Sequence, residues 1–229
     1  MSGSLIQPVA RIRSDFTSKF GIPRQAGILK ELRAEIVFEK EFTDREAIRG
    51  IESFSHLWLI WQFSENLEAG WSPTVRPPRL GGNERMGVFA TRSPYRPNAL
   101  GLSCVRLLSV EDTGRGMPVL VVAGADLMDG TPIFDIKPYI PYADCIPEAT
   151  GGFAPDPGKR VEVAFTQEAE TSVPKELAQQ LRGVLSLDPR PQYKKTGERE
   201  YRFEFSDRRI TFVAEEAGIL VTKIELFEK

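Results

Sequence analysis

Seven short apolar runs, each broken off by Gly, Pro or Asn, fill the first two-thirds of the chain: residues 5–13, 34–42, 54–63, 86–91, 100–110, 118–126 and 133–140. They are rich in Val, Ile, Leu and aromatics, the side chains that a pleated, half-buried backbone favours. One short helix is signalled between them. Thr43 with Glu46 forms a capping box, Ala47 and Ile48 carry the turn, and Gly50 stops it. Many strands with few helices favour a closed or nearly closed barrel over βαβ layers. The Gly- and Pro-dense stretch 148–158 opposes both helix and strand and reads as a linker. Beyond it come a strand at 160–166 and a helix with Thr171 or Ser172 near its cap. Leu177, Leu181, Val184 and Leu185 share one face of that helix. Strands at 199–206, 209–215 and 218–227 close the chain. The expected fold is mainly β: a β-barrel N-terminal domain over residues 1–150, followed by a small α+β C-terminal domain over residues 151–229.

Composition narrows the chemistry. With 229 residues, the chain can bury a core without staples. Its 30 basic and 32 acidic residues leave a net charge of −2, so any anion site is a local patch. Two cysteines and one histidine exclude zinc ribbons, Cys–His fingers and iron–sulfur cages built by one chain. No metal is expected. A disulfide framework is excluded as well, which fits a reducing cytoplasm. Cys104 and Cys145 read as buried small apolar residues. The start of the chain has no leader pattern, and the longest apolar runs, 57–61 and 119–123, are far too short to span a bilayer. No Gly-x-Gly-x-x-Gly opens a helix after a strand and no Walker loop is present, which disfavours a doubly wound nucleotide-binding fold.

Three clusters carry chemistry. Between Trp71 and Arg106 stand six arginines (Arg76, Arg79, Arg85, Arg92, Arg96 and Arg106), no lysine and one acid, Glu84. Arginine without lysine points to forked hydrogen bonding to carboxylate, phosphate or base edges. The prolines, glycines and asparagines around them put these side chains on rigid loops. A solvated loop pairing with acids elsewhere would look the same. In the second cluster, Asp129-Gly130 turns the chain after an apolar run. The alternation that follows puts Asp135 and Lys137 on one strand face, as either a catalytic pair or a structural ion pair. The third cluster is residues 190–209, with seven basic side chains against four acidic. With Tyr193 it could contact a phosphate backbone and stack on a base, although a solvated hairpin explains the charges equally simply. His56, in a nearly continuous apolar strand, reads more readily as a hydrogen-bonded core residue than as a base.

Longer motifs are more specific. Lys19-Phe-Gly-Ile-Pro-Arg-Gln25, Phe54-Ser-His-Leu-Trp58, Gly87-Val-Phe-Ala-Thr-Arg-Ser-Pro-Tyr-Arg-Pro-Asn98, Asp126-Leu-Met-Asp-Gly-Thr-Pro132 and Asp135-Ile-Lys-Pro-Tyr139 resemble the TrmO family of tRNA methyltransferases, also called YaeB-like or TsaA-like. Asp188-Pro-Arg-Pro-Gln-Tyr193 resembles its bacterial C-terminal extension, so the likeness spans nearly the whole chain. The resemblance implies a β-barrel catalytic domain and S-adenosyl-L-methionine as cofactor. The implied reaction methylates the exocyclic amine nitrogen of threonylcarbamoyl-adenosine, beside the anticodon of a threonine tRNA. It further implies a homodimer with the cofactor site near the subunit interface. Carried over by motif, the cofactor positions are Pro23, Arg24 and Gln25, then Ser64 and Glu65, Arg92 and Leu102. The last group is Asp126, Leu127, Met128, Asp129, Gly130 and Thr131. Two departures stand out. Ala99-Leu100 replaces the Pro-Ile of many relatives, which is expected to loosen the loop. Ser64 stands where relatives carry histidine.

The attacking nitrogen belongs to a urea-like group and must lose its proton, while the methyl donor is already activated. The expected proton acceptor is Asp135, held by Lys137, or Asp129. Alternatively no side chain acts as base, and arginines stabilise developing charge. Arg96 and Asn98, with Arg190, Tyr193, Lys194 and Lys195, are expected to contact the tRNA anticodon arm. Two other readings are a non-catalytic RNA-binding module and a methyltransferase for a small ureido or carbamoyl compound.

Overall fold

The computed structural model describes residues 5–114, 116–190, 199–214 and 218–227. Eight strands precede the linker: β1 (Ala10–Arg13), β2 (Arg33–Phe38), β3 (His56–Gln62), β4 (Thr74–Val75), β5 (Met86–Gly87), β6 (Leu100–Glu111), β7 (Val119–Ala123) and β8 (Pro132–Pro138). Six of them close into an antiparallel barrel in the order β1-β2-β7-β6-β3-β8. The seam between β8 and β1 is short, pairing Ala10 with Ile133 and Arg11 with Pro132. Alternation decides what faces inward. Along β3, Leu57, Leu59 and Trp61 are buried inside, while His56, Trp58, Ile60 and Gln62 look outward and are partly covered. Ile12, Ile36, Val105, Leu120, Val122 and Ile133 complete the same interior.

Several expectations shift. The first strand begins at Ala10, because its partner β2 offers registered backbone only opposite Ala10 to Arg13; Leu5 is almost fully exposed. Lys40–Phe42 is a 3₁₀ turn rather than the end of a strand. The cap of the next turn, Arg45–Ile48, is Asp44, whose carboxylate accepts from Glu46 N at 3.0 Å, while the Thr43 hydroxyl donates to Lys40 O. The run 86–91 is strand only at Met86–Gly87, then turns at Val88–Ala90. Cys145 is exposed and Cys104 is half-buried, on the outward side of β6.

A short helix α1 (Pro141–Asp144) leads toward the linker. Past the linker lie β9 (Glu162–Phe165), α2 (Gln167–Thr171), α3 (Lys175–Ser186), β10 (Arg199–Phe205), β11 (Arg208–Ala214) and β12 (Gly218–Leu226). The expected helix is α3, which starts past Pro174 and not at Thr171 or Ser172, and α2 is an additional helix before it. Thr166 caps the first through Oγ1, and Pro174, suited to a helix start but not to its interior, separates the second. The sheet order is β10-β11-β12-β9, antiparallel except for the parallel pair β12–β9. Leu181, Val184 and Leu185 of α3 pack on Phe205, Ile210 and Phe212.

The segment between β1 and β2 crosses into this second core. Phe16, Leu29 and Leu32 are buried there, and Phe20 packs against them. Phe16 meets Phe205 edge-on at 5.3 Å between centroids, and Phe20 lies 5.4 Å from Phe203. The hairpin turn Ser206-Asp207 leans on the same segment, with Ser206 N donating to Asp15 O at 2.7 Å. Burial raises the Asp15 carboxyl above its ordinary value. The Ser206 hydroxyl opposes this, and the nearby charges of Asp207 and Asp129 add to it.

Arg190, expected at the RNA surface, is instead buried. Its Nε donates to Asp188 Oδ1 at 2.6 Å and its Nη2 to Asp188 Oδ2 at 3.1 Å, a forked pair spanning one proline. A planar guanidinium can leave water when both carboxylate oxygens face it, which is why this arginine is internal. Asp188→Ala would strand the guanidinium. The expected loss is about 3–5 kcal/mol of unfolding free energy, read by denaturant titration. In the barrel, Gly101 faces Trp61 across the β3–β6 pair, and a methyl there would lie 2.3 Å from the indole. Gly101→Ala is expected to destabilise the protein by about 1–3 kcal/mol through overpacking, again read by denaturant titration.

Candidate active site

At one end of the barrel four chain segments enclose a cavity of about 440 Å³. The segment leaving β1 supplies Ile22, Pro23, Arg24 and Gln25. The end of β3 and the turn after it (Ser64–Ala69) supply Trp61, Phe63, Ser64 and Glu65. The arginine loop and the start of β6 supply Thr91, Arg92, Arg96 and Leu102. The β7–β8 connection supplies Asp126, Met128 and Thr131. Residues from all four groups of expected cofactor positions therefore meet in one place, although their positions run from 23 to 131.

The polar groups are held by specific partners. The Arg92 guanidinium donates through Nη1 to Gln25 Oε1, tying the arginine loop to the first segment. Lys19 Nζ donates to Glu65 O at 3.0 Å and Asn66 Oδ1 at 3.1 Å, fixing the turn after β3. Asp126 Oδ1 accepts from Ser103 Oγ at 2.5 Å, and Ser103 Oγ accepts from Trp61 Nε1 at 2.9 Å. Burial raises the Asp126 carboxyl above its ordinary value. The Ser103 hydroxyl, the backbone N–H groups of Asp126 and Ala26, and the charge of Arg92 pull the other way. Thr131 Oγ1 donates to Met128 O at 2.7 Å, closing a turn in which Gly130 takes the left-handed φ of 76°.

The other expected residues lie elsewhere. Leu127 is in the barrel core. Asp129 faces away from the cavity and accepts from Ser14 N at 3.0 Å; Gly130 O accepts from Arg11 Nη1 at 3.1 Å. Asp135 and Lys137 form a 2.9 Å ion pair on the outward face of β8, both well exposed and outside the cavity lining. A pair in solvent holds little energy. Arg96 reaches the cavity, but its Nη1 donates to Thr91 O at 2.7 Å and Val88 O at 3.3 Å, so it braces its own loop. Asn98 is exposed beside that loop and does not line the cavity. Ala99 has a φ of 46°, a value proline cannot adopt, so its exchange for Pro sets a different local backbone and not merely a looser one. Tyr193, Lys194 and Lys195 lie outside the described residues. The sequence reading missed Trp61 and Ser103; a glycine and a serine inside an apolar strand were the available signal.

Comparison with known proteins identifies the family. Residues 11–145 match the model of the tRNA-methyltransferase O N-terminal domain, and residues 158–227 match that of the TrmO C-terminal domain. A tRNA (adenine(37)-N6)-methyltransferase of Escherichia coli (strain K12) is 40% identical over 234 residues, covering 98% of this chain and 99% of its own. One from Eikenella corrodens is 45% identical over 177 residues, covering 77% of this chain and 99% of its own. The crystal structure of TrmO from Pseudomonas aeruginosa superposes with a TM-score of 0.80 at 31% identity, covering 98% of this chain and 99% of that one. The chain belongs to the TrmO family of tRNA methyltransferases.

Proposed function

We propose that this protein is an S-adenosylmethionine-dependent methyltransferase acting on the exocyclic nitrogen of adenine 37 in tRNA, with that base carried as threonylcarbamoyl-adenosine in threonine tRNA. The observation that carries this reading is the full-length kinship with tRNA (adenine(37)-N6)-methyltransferases, combined with a cavity in which the expected cofactor positions meet.

The cavity's residues fit the cofactor. Its volume suits a nucleoside-sized ligand. Trp61, Phe63, Leu102 and Met128 offer apolar and aromatic surface for a purine and a sulfonium, while Arg92 offers a fork for a carboxylate. Pro23, Arg24, Gln25, Ser64, Glu65 and Thr131 would complete the holding shell. The cofactor held there would supply an activated methyl group. The chain's task is then to orient, to exclude water and to receive a proton. The arginine loop flanks the cavity through Arg92 and Arg96; Arg85 Nη1 donates to Thr74 Oγ1, and exposed Arg76 on the same loop would meet a phosphate.

The reading includes a homodimer. What supports it is an outward band across β6, β3 and β8. Register aligns Leu102 with Ile60 and Asp135, and Cys104 with Trp58 and Lys137. Exposed Leu102, Tyr142 and Ile146 lie on or near this band, which borders the cavity at Leu102. Residues 1–150 would then be the catalytic domain and residues 151–229 an RNA-contacting one, working in the cytoplasm where the tRNA is. Among the described residues no helix is long and apolar enough to cross a membrane.

The test uses purified protein, S-adenosylmethionine and tRNA from cells lacking the enzyme, with digested nucleosides followed by mass spectrometry. Threonylcarbamoyl-adenosine is expected to fall as its methylated form rises; unchanged nucleosides with saturating cofactor would refute the substrate. Arg92→Gln is expected to weaken calorimetric cofactor binding about tenfold or more. Unchanged affinity would move Arg92 to the RNA side.

A further inference from the structure

The chain of donors ending on Asp126 is unusual for a residue that merely holds a ligand. Trp61 Nε1–H points to Ser103 Oγ, and the Ser103 hydroxyl donates to Asp126 Oδ1. The indole is itself locked, pinned over Gly101 and packed edge-on against Phe63 at 4.4 Å between centroids. One carboxylate oxygen is thereby fixed, and the carboxyl is aimed by a buried, rigid strand pair. Asp126 and Glu65 are the carboxylates lining the cavity; Glu65 is exposed on the turn after β3, whereas Asp126 is recessed beside Met128 and Leu102. Asp129 and Asp135 do not line it.

We propose that Asp126 is the proton acceptor of the methyl transfer, with Ser103 and Trp61 as its positioning residues. This rests on the reading that the cavity is the methyl-transfer site. As the bond from the exocyclic nitrogen to the methyl carbon forms and the sulfur–methyl bond breaks, the N–H proton passes to the Asp126 carboxylate. The base is tuned from two sides. Burial raises the carboxyl toward the working pH, while Ser103, the N–H groups of Asp126 and Ala26, and the charge of Arg92 keep it ionisable. Arg92 is the charged group whose field reaches Asp126. Lys19 spends its ammonium on Glu65 O and Asn66.

The linkage has a definite sign. Activity needs the ionised carboxylate, so it falls on the acid side of the Asp126 titration. Removing the Ser103 hydroxyl takes away a bond to the charged form, so Ser103→Ala moves the acid limb of kcat to higher pH. Asp126→Asn removes the limb.

The experiment first establishes wild-type turnover on threonylcarbamoyl-adenosine tRNA; a wild type without turnover sinks the functional reading itself. With turnover established, kcat is measured against pH at saturating cofactor for wild type, Asp126→Asn and Ser103→Ala, with cofactor Kd from calorimetry. Asp126→Asn is expected to lose about 10²–10⁴ in kcat, with Kd changed less than threefold. A titration of intrinsic fluorescence reads the proton without turnover. The wild type is expected to show a transition through Trp61 that Asp126→Asn lacks. Near-wild-type kcat in Asp126→Asn overturns the proposal. So does a loss carried wholly by cofactor Kd, which would make Asp126 a cofactor anchor only. If Asp126→Asn fails to fold, Ser103→Ala decides: an acid limb displaced upward supports the proposal, and an unmoved limb ends it.

Discussion

The seam that closes the barrel organises everything else. Only Ala10 and Arg11 pair with β8 as strand, yet the two chain ends stay together beyond that pairing. Gly130 N donates to Ile12 O, the Ser14 hydroxyl donates to Leu127 O, and Asp129 N donates to Phe16 O. Asp129, expected at the cavity, is therefore a structural clasp: its carboxylate takes Ser14 N and its amide takes a carbonyl of the same segment. This zipper carries the chain leaving β1 alongside the chain entering β8. It sets Pro23, Arg24 and Gln25 opposite Asp126, Met128 and Thr131, and the cavity is the space left between them. Were the seam to slip by one residue, Ile12 and Ile133 would turn outward and both walls would part.

Much of this was written in local pattern. The alternation in β3, the apolar run of β7 and the closing strands of the C-terminal sheet all appear as period-2 or continuous apolar segments. What local pattern does not encode is which rival local bond wins. Thr43 and Asp44 both offer an oxygen to the same turn; the Thr43 hydroxyl is spent on Lys40 O, and the Asp44 carboxylate takes Glu46 N. Pro174 sets the start of α3, which the sequence places at Thr171 or Ser172. The site shows the same limit. The motifs marked the segments correctly, but register decides which side of a strand or turn a residue presents. Asp126 looks into the cavity, Leu127 into the core, and Asp129 toward Ser14. Arg190 was legible as a charge and not as a buried partner of Asp188, because that depends on the turn between them.

Within the cavity, charges of opposite sign are set apart by design of the backbone. Arg92 is drawn toward Gln25 on one wall, and Asp126 is drawn toward Ser103 on the barrel wall. Each is held by a neutral partner, so neither neutralises the other through a direct bond, and both keep valences for a ligand. A zwitterionic, aromatic molecule meets a complementary arrangement without the site having to rearrange.

The segment from residue 14 to residue 32 has two loyalties. Its Pro23, Arg24 and Gln25 face the cavity, while Phe16, Leu29 and Leu32 belong to the C-terminal core. The domains are thus not interchangeable modules. A barrel cut free after the linker would open these large apolar side chains to water, and with them the hydrophobic anchorage of one cavity wall. Any ancestor lacking the C-terminal sheet needed another cover for this strip. That sheet therefore stiffens one wall of the cavity, even at atoms it never touches.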